Sequence, residues 1–187
     1  MTDMILDVDA PTVNDLLLCL PDDSDWNVLE DALQMPDIKD KYAKELDKFI
    51  KKPTRIELFE IKSRPITSTL DGEKARSDDI NKSYSITVVP GVLAVRVDVG
   101  IRMAANWYGK VVVTPTIFGK GVGSSEAQVS RAQSFIEIHP SALLVKADLK
   151  IGIYGDKMCF GIEGRACYWA FGWKCQSFDK QGLFCLK

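Results

Sequence analysis

The segment GVLAVRVDVGIRM at residues 91–103 alternates with a period of two. Leu93, Val95, Val97, Val99, Ile101 and Met103 share one parity; Ala94, Arg96, Asp98, Gly100 and Arg102 share the other. ALLVKADLKIGIY at residues 142–154 repeats the pattern, setting Val145, Ala147, Leu149, Ile151 and Ile153 against Lys146, Asp148, Lys150 and Gly152. Successive side chains of a strand point to opposite faces, so each segment has one dry and one wet face. Parallel strands are covered on both faces and read as unbroken apolar runs, so this alternation predicts antiparallel strands.

Working outward, further strands are expected at 56–62, 83–88, 110–118 and 134–139. Tyr154-Gly155-Asp156-Lys157 predicts a hairpin turn, and Asn106-Trp107-Tyr108-Gly109 another. Glu163-Gly164 predicts a third turn, leading into a strand at 165–173. Residues 67–81 and 119–131 carry no period and are expected as loops. The first 52 residues switch to a helical period. Val13, Leu16, Leu17 and Leu20 recur behind a Thr12 cap, and Pro21 ends that run. Trp26, Leu29 and Leu33 share a face of a second helix. Ile38, Tyr42, Leu46, Phe49 and Ile50 form the stripe of a third, which begins near Asp37 and stops before Pro53. The expected fold is therefore α+β: an acidic helical region at 1–52 packed on a long-stranded antiparallel β-sheet or flattened barrel at 53–187, as one folding unit.

The net charge of −2 hides a split. Residues 1–50 hold thirteen acids and four lysines, which leaves +7 for the rest of the chain. Two consequences are open: the acidic head neutralises the basic body, or the body meets an anionic partner. Hydrophobic residues are 46% of the 187, enough to fill a core, which excludes wholesale disorder. No positively charged leader with an apolar run opens the sequence, so a cytoplasmic protein is the expectation. On the same ground Cys159, Cys167, Cys175 and Cys185 are expected as reduced, buried thiols. All four sit at odd positions, so those carried by one unbroken strand would share a face.

No catalytic residue, metal-ligand set or cofactor motif stands out. Gly119-Lys120-Gly121-Val122-Gly123-Ser124-Ser125 lacks the spacing of a phosphate-binding loop. His139 is the sole histidine and precedes Pro140, where an exposed or hydrogen-bonded structural role is expected. Tyr168, Trp169, Phe171, Trp173, Phe178 and Phe184 crowd within 17 residues. That cluster fills an interface or offers an aromatic platform to a lipid headgroup. No RNA-binding aromatic string occurs and lysines are not concentrated there, which argues against nucleic acid. Arg96, Arg102, Lys146 and Lys150, with Asp98 and Asp148 between them, lie on the wet faces of the two long strands and read as cross-strand ion pairs if those strands are neighbours. The leading functional expectation is non-enzymatic binding of a lipid or other apolar ligand, or of an anionic membrane surface. The residues expected to carry it are Leu93, Val95, Val97, Val99, Val145, Leu149, Ile151, Trp169 and Trp173. The alternative is a structural or protein-interaction module that forms a homo-oligomer through the sheet and the aromatic C-terminal region. Asn106-Trp107-Tyr108 and Glu137-Ile138-His139 resemble short strings of sea-anemone-type pore-forming cytolysins. The resemblance covers six residues, the spacing and the cysteine-rich tail depart from that family, and no residue role follows from it.

Overall fold

The computed structural model describes residues 23–67, 76–170 and 172–186. Two helices, α1 (Asp23–Leu33) and α2 (Ile38–Lys51), precede ten strands. These are β1 (Glu57–Ile61), β2 (Ile80–Val89), β3 (Leu93–Arg102), β4 (Tyr108–Ile117), β5 (Lys120–Gly121), β6 (Ser125–Ser130), β7 (Phe135–Ile138), β8 (Val145–Tyr154), β9 (Cys159–Trp169) and β10 (Trp173–Cys185). The helix expected around Thr12 lies outside the described residues.

Every strand pairing is antiparallel. One sheet runs β1-β2-β3-β4-β5, with β6 also on β4; the other runs β10-β9-β8-β7. The molecule is thus two open sheets and not a closed barrel, which corrects the barrel alternative. The two alternating segments became β3 and β8. They are not neighbours in one sheet but face each other, with β2 likewise approaching β9. Their dry faces meet in one apolar core. Two one-sided sheets satisfy each other by stacking their dry faces. Val95, Val97, Val99, Val145 and Ile151 are fully buried there, and so are Phe160 and Ile162 of β9. Each such side chain contributes about 1.5–3 kcal/mol by leaving water.

The helical stripes came out as read, except that Ile50 is 39% exposed. Trp26, Leu29, Leu33, Ile38, Tyr42, Leu46 and Phe49 are all buried. Asp37 precedes α2 in the left-handed conformation and makes no side-chain cap. The Glu30 carboxylate does that work from α1, accepting from the Ile38 amide at 3.0 Å. The Tyr42 hydroxyl donates to the Trp169 carbonyl at 2.6 Å, and the Phe49 ring meets Tyr168 edge-on. The Lys120 ammonium donates to the Leu33 carbonyl.

Two expectations about turns fail for identifiable reasons. Residues 163–164 do not turn; β9 runs through them, paired to β8 and β10. Gly164 is there because its backbone (φ 150°) crowds the Asp148 carbonyl, where any Cβ would collide. The expected loop at 119–131 holds β5 and β6, whose polar sequence suits the margin of a sheet.

The four described cysteines are not thiols. Cys159 is bonded to Cys185, and Cys167 to Cys175. Each pair stands directly opposite in the β9–β10 register, so the shared parity was correct, the redox state was not, and of the four expected buried cysteines Cys175 and Cys185 are exposed. The two bridges tie both ends of the edge strand β10 to its neighbour. That edge also carries exposed Lys174 and Lys180 and two register shifts, devices that discourage pairing with another chain. No described helix is long and apolar enough to cross a membrane.

Two outcomes follow. Alkylation in denaturant without reductant should leave Cys159, Cys167, Cys175 and Cys185 unmodified. Reduction should make all four modifiable and cost about 2–4 kcal/mol of stability per bridge. Val97→Trp and Leu149→Trp, placed in a filled interior, should each lower stability by about 1–3 kcal/mol or more. Denaturant melts that match the parent would contradict that packing.

Candidate functional site

The structure separates the residues expected to form one apolar site. Leu93, Val95, Val97, Val99, Val145, Leu149 and Ile151 line the interior between the sheets, each at most 1% exposed. Trp169 and Trp173 lie on the opposite side of the four-stranded sheet. The register pairs Lys146 with Cys167 and Cys167 with Cys175, so the two tryptophans share the face of Lys146. Their rings meet edge-on at 5.4 Å, and the Lys146 ammonium stands 4.5 Å from the Trp173 ring centre. Phe171 lies outside the described residues.

The wet face of the four-stranded sheet is laced with ion pairs. Asp148 accepts from Arg165 and stands 2.9 Å from His139 Nδ1. The Arg165 and His139 contacts hold the Asp148 carboxyl below the usual carboxylate range. Lys150 approaches Glu163 at 3.8 Å. His139 is exposed and has the hydrogen-bonded role expected of it.

The wet face of the six-stranded sheet is different. Residues 62–67 cross it as a strap. Under the strap, Asp98 is 2% exposed and is held by two groups through three contacts. Ser83 donates its hydroxyl to Asp98, and Arg96 Nε reaches both carboxylate oxygens at 2.9 and 3.0 Å. Ser83 Oγ in turn accepts from the Arg64 amide at 3.1 Å and from Arg96 Nη2 at 3.2 Å. Arg96 Nη2 also donates to the Lys62 carbonyl at 3.1 Å. Further along, the Asn81 carboxamide oxygen accepts from the amides of Ile66 and Thr67. Gly100 lets the strap lie flat: a Cβ there would stand 2.6 Å from Ile66 Cγ1.

The strap ends on a second buried pair. Arg102 (1% exposed) reaches Asp79 at 3.3 Å and the Thr67 carbonyl at 3.0 Å. Burial pushes the Asp79 carboxyl up, but the Arg76 amide, the Arg102 guanidinium and the Thr67 hydroxyl outweigh it and hold the group below the usual range. Arg96 and Arg102 are thus ion-paired, but not across neighbouring long strands as expected: Arg96 pairs with Asp98 on its own strand, and Arg102 with Asp79, just before β2.

Beside the strap opens a cleft of about 470 Å³. Its floor is two cross-strand rows: Ser85 opposite Arg96, and Thr87–Ala94–Thr116. Ile61 and Arg64 form one wall; Val92, Phe118, Gly119 and Gly121 form the other. Arg96 brings its guanidinium in already oriented by Asp98, and its Nη1 has no hydrogen-bond partner among the described residues. The Arg64 guanidinium has no partner among the described residues either. Thr116 donates to the Ala94 carbonyl at 3.1 Å and keeps its lone pairs for an incoming donor. Chemically the cleft offers one fixed cationic donor in Arg96, a second cation in Arg64, a hydroxyl floor and apolar wall residues in Ile61 and Phe118. Among the described residues the cleft lining shows no nucleophile–base pair, and there is no cluster of three or more His, Cys, Asp or Glu able to hold a metal.

Sequence reasoning missed this cleft because its residues come from four separate segments with no local motif. The available signal was the other parity of the strands, which lines up Ser85 with Arg96 and Thr114, and Thr87 with Ala94 and Thr116. No family model, curated protein or solved structure matches this chain.

The carboxyl shifts set a pH dependence. A carboxyl held low in the folded state contributes stability above its unfolded value of about 3.9, lost as pH falls through the folded value. Thermal stability should hold steady from neutral pH to about pH 5 and drop below about pH 4. Asp79→Asn should lower stability at neutral pH, by leaving Arg102 buried and uncompensated, and make the acid drop shallower. Melting temperatures across a pH series test this, and an unaltered acid slope would contradict it.

Proposed function

We propose that this protein is a non-enzymatic binding module that holds a small polar ligand in the cleft on the wet face of its six-stranded sheet. The observation that carries the reading is Arg96, a guanidinium held by Asp98, Ser83 and the Lys62 carbonyl that keeps an edge without a partner among the described residues at the cleft floor. Fixing a long cationic side chain in advance lowers the entropy a ligand must overcome. The interior, by contrast, is occupied by its own side chains, so a ligand of any polarity meets the outer surface first. In this reading α1 and α2 pack over one end of the sheets. The Lys120–Leu33 contact then braces the turn that forms one cleft wall. The two disulfides support work in an oxidising compartment.

A second reading keeps a membrane surface as the partner and uses the other sheet. It is favoured by Trp169 and Trp173 beside Lys146, since an aromatic pair with a cation suits the headgroup layer.

One variant separates these readings. Ala94 sits on the cleft floor and outside the core, so Ala94→Trp should fill the cleft at little cost in stability. Amide spectra recorded against a library of small polar compounds should show shifts at Ser85, Thr87, Ala94, Arg96 and Thr116 in the parent, and none in the filled variant. A cleft that stays silent across the library, while anionic vesicles bind through Trp173, would move the function to the membrane reading.

A further inference from the structure

The chemistry of the cleft narrows its ligand class, and this inference rests on the binding reading above. We propose that the cleft takes a sugar ring bearing an acid group, of the uronic-acid type, with the acid at Arg64 and Arg96. Three observations converge. The two guanidiniums in the lining lie on the strap side, and both have donors without partners among the described residues. A planar guanidinium matches a carboxylate through paired N–H donors. The floor is made of hydroxyls, Ser85, Thr87 and Thr116, which exchange hydrogen bonds with ligand hydroxyls and water on equal terms. Each wall also carries an apolar side chain, Ile61 on one and Phe118 on the other, and these suit the C–H faces of a ring.

The alternatives fit less well. A long apolar ligand would find only scattered carbon on a hydroxyl floor. A bare anion would use the guanidiniums and leave the rest of the cleft unused. The volume, about 470 Å³, lies within the range of small-ligand sites. One acid opposes the assignment: Glu57 stands opposite Thr87 at the rim and is exposed. That acid supplies a test of sign, because removing it should strengthen binding of an anionic ligand and leave a neutral one unaffected.

The experiment is a titration of the full oxidised chain, followed by amide shifts, with methyl glucuronide, methyl glucoside and acetate as probes. The glucuronide should shift Ser85, Thr87, Arg96 and Thr116. The glucoside and acetate should each bind about tenfold or more weakly, because each lacks half of the contacts. Arg64→Ala should weaken the glucuronide by about tenfold, and Arg64→Lys should recover part of that loss. Glu57→Gln should tighten it. Both positions are exposed, so these variants test binding without risking the fold. Equal affinity for glucoside and glucuronide would overturn the acid assignment and leave the binding reading standing. Acetate binding as tightly as the glucuronide would overturn the sugar assignment. Silence of the cleft toward all three probes would overturn the ligand class, whereas the library comparison with Ala94→Trp decides the binding reading separately.

Discussion

The carboxylate of Asp98, nearly dry on what the sequence marks as a wet face, organises the outer face of the six-stranded sheet. A charge withdrawn from water costs several kcal/mol unless partners replace the lost hydration. Here the Ser83 hydroxyl and the Arg96 guanidinium replace it. Both partners are then used again: Ser83 holds the Arg64 amide and Arg96 holds the Lys62 carbonyl. The strap, the guanidinium and the cleft floor are therefore one hydrogen-bonded unit. Removal of the carboxylate would release all three together, since partners in a shared network do not act additively.

The same strand serves two purposes through its two faces. Val95, Val97 and Val99 anchor β3 in the interior, which fixes where Arg96 and Asp98 project on the other side. A ligand contact built on the middle strand of a stacked sheet is held more firmly than one on a loop. The opposite sheet supplies the backing, and its exposed edge is secured by covalent bonds at both ends. Packing, pairing and cross-linking thus all support one polar surface.

The strands were legible in the sequence because each has one dry side. The alternation at 93–103 and 145–153 gave their type, extent and inward residues. It could not say that β3 and β8 face each other across a core, because parity is a property of one strand and stacking is a property of two. The shared parity of the cysteines was legible for the same reason, but their bonding depended on the β9–β10 register and on a compartment that the first residues do not reveal. Gly164 misled because a glycine under a close backbone contact looks, in sequence, like a glycine in a turn. The aliphatic residues assigned to a ligand site were real neighbours of one another, yet their place is the interior. The cleft was not legible, because hydroxyls and arginines on wet faces are ordinary one by one. Only the pairing of β2, β3 and β4, with the strap laid across them, gathers these residues into a site.

The central claim is that Asp98 holds Arg96 still so that one edge of its guanidinium stays available to a ligand. Hydrogen exchange of the arginine Nε–H groups, measured by NMR in the unmodified protein, tests it most directly. The account predicts slow exchange for Arg96 and fast exchange for Arg64, whose guanidinium has no partner among the described residues. Equal, fast exchange at both would show that Arg96 is not fixed, and the proposed binding role of the cleft would lose its main support.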